Sequence, residues 1–111
     1  MTAKEMAEAL DLTVIVPGRG LDREVTGGYV CDLLSFVMGR AKSGDAWITV
    51  MGHVNAIAVA VLADVSCIIL SEGVRLSEEA AQKARQNGVT VFSGRDTSFA
   101  LAAGVSALLG G

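Results

Sequence analysis

One histidine, one proline, two cysteines and five aromatic residues are all that this chain of 111 residues carries of those types. Each scarcity removes a class of function. His53, with Cys31 and Cys67 far apart in sequence, cannot supply the spaced ligand pairs of a zinc site. No Asp-x-Asp carboxylate pair replaces them, so neither a metal nor a cofactor is expected. Tyr29, Phe36, Trp47, Phe92 and Phe99 are too few and too dispersed for a base-stacking platform. Nine basic residues stand against twelve acidic ones, a net charge of −3. The basic residues form no run or stripe, which excludes the electrostatic footprint of nucleic-acid binding. Two cysteines make no disulfide framework and read as reduced, buried thiols of a cytoplasmic protein. Cys31, just before a helix start, is the weak candidate for a reactive thiol.

The phosphate-handling motifs are missing as well. A P-loop ends in Gly-Lys-[Ser/Thr]. Of the three lysines only Lys42 precedes a serine, Ser43, and Ala41 stands where the glycine should be. Gly18-Arg19-Gly20 begins like a dinucleotide fingerprint, but Arg23 occupies the third glycine's place. There is no Gly-x-Ser-x-Gly elbow. The first residues, Met1 to Met6, contain no apolar signal core. The most apolar stretch, Val54 to Leu70, is interrupted by Asn55 and Asp64 and falls short of the roughly 20 residues of a membrane span. A cytoplasmic location with no membrane partner is expected, and no catalytic residue is assigned.

What remains is a chain 51% apolar and only 19% charged. That balance fits either a core rich in small residues or apolar surface covered by another copy. The spacing predicts a helix from a Thr2–Glu5 capping box to about Leu10. A strand over Leu12–Val16 ends at Pro17-Gly18. A second strand over Glu24–Cys31 is interrupted by Gly27-Gly28, as at a bulge or a close backbone approach. Asp32 is placed to cap a helix through Ala41. Strands at Ala46–Met51, Ser66–Leu70 and Val89–Phe92 then alternate with helices opened by Asn55, by Ser77 and by Asp96 or Thr97. The order β-α-β-α-β-α implies an α/β fold: a single domain over residues 1–111, with a mainly parallel sheet and helices packed on it.

Ligands of open parallel sheets bind beyond the carboxyl ends of the strands. Three loops belong there: Gly52–Asn55, Ser71–Gly73 and Ser93–Thr97. Helix N-termini offer amides and positive dipole ends to an anion, and Arg95 offers a forked donor. The candidate ligand-binding residues are therefore His53, Asn55, Glu72, Arg95, Asp96 and Thr97. Asn55 and Asp96 also read as helix caps and nothing more, His53 as a polar surface residue or structural hydrogen-bonder, and Glu72 as a solvated loop carboxylate.

The segment Asp22-Arg23-Glu24-Val25-Thr26-Gly27-Gly28 resembles the signature of DRTGG domains. The resemblance continues through Gly28–Ser35, Ala46–Val50 and Asn55–Ala60, and covers roughly Leu10 to Val105. It implies a bacterial stand-alone domain similar in fold to the N-terminal domain of HPr kinase/phosphorylase, without kinase machinery. It also implies a regulatory role: subunit contact, ligand sensing, or both. Asp22, Arg23, Thr26, Gly27, Gly28 and Asp32 are the candidate motif or interface residues. On an extended chain Asp22 and Arg23 point to opposite sides, so Arg23 is expected to pair with Asp32 or with a partner's carboxylate. Gly27-Gly28 would let a second backbone pack closely. The expected function is a non-catalytic regulatory or interaction module, a homodimer that senses a small anionic ligand such as an adenine nucleotide. The alternative is a purely structural adaptor docking on a larger metabolic enzyme. An enzyme using His53 or Cys31 lacks a second catalytic partner for either residue.

Overall fold

Three apolar runs form the centre of the sheet. The structure, a computed structural model, describes residues 1–111. Its strands are β1 (Thr13–Val16), β2 (Gly27–Val30), β3 (Asp45–Thr49), β4 (Cys67–Leu70) and β5 (Val91–Ser93). Its helices are α1 (Ala3–Ala9), α2 (Leu34–Arg40), α3 (Val54–Ala63), α4 (Glu78–Asn87) and α5 (Ser98–Leu108). The strands form one sheet in the order β1-β5-β4-β3-β2. Strands β2 to β5 run parallel and β1 lies antiparallel to β5, so the mainly parallel α/β sheet read from the sequence is the fold observed. Every residue of β3 and β4 is buried. Both faces of these strands are covered, which is why they read as continuous apolar runs.

Alternation along the strands still sorts the side chains into two cores. Trp47, Ile68, Leu70 and Val91 enter one; Ala46, Ile48, Cys67, Ile69 and Phe92 enter the other. Each step from β2 through β5 moves one strand in the same direction. Right-handed crossovers therefore place α2, α3 and α4 together on the first face, where Val37, Ala56, Ile57, Ala80 and Ala84 pack. Helices α1 and α5 cover the second face with Met6, Leu101 and Val105. Burial pushes the Cys67 thiol up to about 12, so it behaves as an inert apolar filler. Cys31 is only half-buried, so of the two thiols expected to be buried just Cys67 is. No helix is long and apolar enough to cross a membrane.

The helix signals act largely as their chemistry dictates. Thr2 Oγ1 accepts from the Glu5 amide and Glu5 Oε1 accepts from the Thr2 amide, a complete capping box. Ser77 and Thr97 accept from Ala80 N and Ala100 N at the starts of α4 and α5. Gly88 closes α4 at φ 69°. Three expectations differ. His53 Nδ1, not Asn55, caps α3 by accepting from Asn55 N. Asp32 caps nothing, and α2 starts without a side-chain cap. Its Oδ1 instead accepts from Thr49 Oγ1 at 2.8 Å and Val50 N at 2.9 Å, because the end of β3 presents a buried hydroxyl and an amide that both need an acceptor. Finally, β2 begins at Gly27 in regular register with β3, and the irregularity lies in β1 between Val14 and Val16.

Candidate functional site

The three loops beyond β3, β4 and β5 meet at one rim of the sheet. Ser71 N donates to Thr49 O, Glu72 N to Asp96 O, Gly73 N to Gly94 O, and Ser77 N to Gly52 O, all at 2.8–3.1 Å. The anion position expected at the start of α5 is filled by the chain itself. Glu72 Oε2 accepts from Ser98 N at 2.9 Å, and Glu72 adopts a left-handed φ of 61°. The Ser71 and Ser98 hydroxyls meet beside it at 2.6 Å. Thr97 and His53 are also engaged as caps, accepting from Ala100 N and Asn55 N. The same rim carries two guanidinium groups.

Those groups belong to Arg75 and Arg95. The ion pairs of the chain involve the Met1 amine, Arg23 and Arg85, and neither Arg75 nor Arg95 has a polar side-chain partner. Both line a groove of about 950 Å³ that runs from the rim loops to the α1–β1 turn and β1. Of the six expected ligand residues, Arg95 and Asp96 line this groove; His53, Asn55, Glu72 and Thr97 do not. Sequence reading missed Arg75 and the wall contributed by Leu12, Thr13 and Ile15. Nothing local marks that wall, since it arises when the first strand pairs with the last.

The Asp22–Gly28 motif sits at the opposite end of the sheet, where β3 and β4 begin. Arg23 pairs with Asp64 and not with Asp32. Nη1 donates to Asp64 Oδ1 at 2.9 Å and to Val65 O at 3.3 Å. Nη2 donates to Asp64 O at 2.9 Å, Asp64 Oδ2 at 3.1 Å and Ser43 Oγ at 3.1 Å. Asp64 closes α3 in the left-handed conformation, so the guanidinium also lies against the negative end of that helix dipole. Asp22 is exposed. Thr26 packs against Gly44, whose φ is 88°. A Cβ at Gly27 would lie 2.7 Å from Asp45 Oδ1, and one at Gly28 3.4 Å from Val105 Cγ1. The glycine pair thus accommodates side chains of its own chain. A carboxylate at a helix C-terminus is unfavourable without a cation, and that is the signal by which Asp64 could have been found.

The Arg23 clasp predicts a mutational effect. Its side chain is 35% exposed, which weakens the pair relative to a buried one. Arg23→Ala is expected to cost about 1–2 kcal/mol in urea unfolding. Hydrogen bonds from Arg23, then from Ser43, hold the Asp64 carboxyl below its ordinary 3.8. A depressed folded value stabilises the native state above the unfolded one and loses that contribution as pH falls through the folded one. Wild-type stability should therefore decline below about pH 4, more steeply than that of Arg23→Ala. Identical acid limbs for the two proteins would contradict the clasp.

An open, mainly parallel sheet with helices on both faces and a grooved, polar rim beyond its strand ends defines a small α/β domain. The chain belongs to the DRTGG domain family, whose model matches residues 5–108. No curated protein matches the sequence. Among solved structures, it is similar to the CBS and DRTGG domains of the regulatory region of Clostridium perfringens pyrophosphatase, complexed with the activator diadenosine tetraphosphate. The TM-score is 0.74 at 16% identity, over 94% of this chain and 45% of that one. The likeness is one of fold, and this chain spans less than half of that regulatory region.

Proposed function

We propose that this chain is a non-catalytic regulatory module that works as a homodimer and senses a small anionic ligand, an adenine nucleotide being the leading class. The carrying observation is the free edge of β2. Cys31 N donates to Ile48 O, so the odd-numbered residues of β2 turn their backbone groups toward β3, and Gly28 and Val30 turn theirs outward. Unpaired edges are ordinarily protected by Pro, charge or a bulge. Gly27–Val30 has none of these. Exposed Val30, Leu33, Phe36 and Met38 lie on this strand and on the loop and helix after it. A two-fold axis at this edge would join two copies strand to strand, the isologous contact that closes a dimer. Family membership and the activator-bound regulatory region of similar fold support the regulatory part of the reading.

Sedimentation equilibrium tests it. The wild type is expected to be a dimer, and Val30→Lys a folded monomer at the same concentration, because Val30 is exposed and a charge there opposes edge pairing. A monomeric wild type, or a Val30→Lys dimer of unchanged affinity, would overturn the proposed interface. The second reading is a structural adaptor that docks on a larger metabolic enzyme with no small ligand. It is favoured by Phe99, 83% exposed on α5. Thermal shift separates the two. A ligand at about 100 times its dissociation constant adds about 2.7 kcal/mol of stability, whereas an adaptor shows no shift with any nucleotide.

A further inference from the structure

The groove between β1 and the rim loops points to a specific site, and we propose that it takes a nucleoside polyphosphate. The proposed site rests on the ligand-sensing part of the function above and locates it. Three features of the groove define the guest. Two guanidinium groups, Arg75 and Arg95, reach it from different loops, one after β4 and one after β5, and neither has a partner within the chain. A single carboxylate guest would satisfy one such fork; a chain of phosphates offers successive acceptors to both. Leu12, Ile15 and Leu76 give the groove an apolar wall suited to the face of a base. Asp11 and Asp96 also line it. They repel a bare anion, but they can accept from ribose hydroxyls or an exocyclic amine. A guest with phosphates at one end and hydrogen-bond donors at the other meets all of these groups; inorganic phosphate meets only the arginines and is opposed by the carboxylates. The volume of about 950 Å³ lies in the range of small-molecule sites.

The groove also suggests how occupancy could be signalled. One wall comes from the α1–β1 turn and β1, the other from the loops after β4 and β5. A bound guest therefore bridges the edge strand to the centre of the sheet.

Isothermal titration of the whole chain with ATP, ADP, adenosine and tripolyphosphate tests the site, using wild type, Arg75→Gln, Arg95→Gln and the double variant. Both arginines are exposed and unpaired, so the variants should keep the wild-type melting temperature without ligand. ATP is expected to bind the wild type more tightly than either adenosine or tripolyphosphate. Each single variant should lose about tenfold in affinity, and the double variant about a hundredfold. Tripolyphosphate binding as tightly as ATP would overturn the nucleoside part of the proposal. Undiminished ATP binding in the double variant would overturn the groove while leaving ligand sensing intact. No binding of any of the four to the wild type would overturn both.

Discussion

Trp47→Ala is expected to remove about 3–5 kcal/mol of stability, the largest single loss available in this chain. Trp47 is fully buried in β3 and is the largest side chain of the core beneath α2, α3 and α4. Its removal leaves a void bounded by a sheet held in register on both sides, which cannot collapse freely. The indole also does polar work. Nε1 donates to Cys31 O at 2.9 Å, just beyond the end of β2, so the substitution orphans a carbonyl as well as emptying a cavity. Against the 5–15 kcal/mol typical of whole domains, the variant should approach the unfolding threshold at physiological temperature. Urea titration followed by far-ultraviolet circular dichroism measures the loss. Trp47→Phe divides it: the aromatic volume is largely kept, and about 1–3 kcal/mol remains for the abandoned carbonyl. A loss below about 1 kcal/mol for Trp47→Ala would mean that the core is far looser than native packing density implies.

The second large effect is expected at Gly52. A Cβ there would overlap the carbonyl oxygen of Arg75 and approach Leu76 Cα at 3.3 Å. Both obstacles are backbone, so no side-chain rotation relieves them. Gly52→Ala should force apart the loop after β3 and the segment leading into α4, straining the bond from Ser77 N to Gly52 O. The expected cost is about 3 kcal/mol, at the upper end for overpacking. The same displacement moves Arg75, so affinity at the proposed nucleotide site should fall together with stability. Gly39→Ala is the contrasting substitution. Nothing lies within 4 Å of a Cβ in that exposed turn of α2, and a gain of about 0.5–1 kcal/mol is expected from helix propensity alone. If Gly52→Ala were neutral in differential scanning calorimetry, the tight approach at this rim would be wrong.

The parallel sheet was legible because its strands are apolar on both faces. Ala46–Thr49, Cys67–Leu70 and Val91-Phe92 leave no polar alternation to confuse with an exposed strand. The caps Thr2, Ser77 and Thr97 were legible because their partners lie three residues away. Legibility failed where the deciding partner is distant or where two acceptors compete. Asp32 has the composition of a cap, but Thr49 and Val50 claim its carboxylate across the rim. Asn55 has it too, but the imidazole of His53, two residues earlier, takes the capping role. Arg23 and Asp64 meet only after β3, α3 and β4 are assembled. Of the candidate ligand residues, Arg95 and Asp96 stand in the groove, and nothing in Gly73-Val74-Arg75-Leu76 distinguishes Arg75 from a solvated loop residue. The groove's second wall could not be read at all, since it depends on which strand β1 joins.

That pairing has a kinetic consequence. Thr13 pairs with Ser93, so the N-terminal strand completes the sheet only after almost the whole chain has been ordered. The loop-closure entropy of such a contact is met late, while the successive β-α-β steps from Gly27 onward form through short-range closures. α1 and β1 should therefore dock last during folding and open first during local unfolding, with their amides exchanging faster with solvent than those of β3 and β4. A molecule held between β1 and the loops after β4 and β5 would slow that opening, and occupancy would be felt as the lifetime of the N-terminal segment on the sheet.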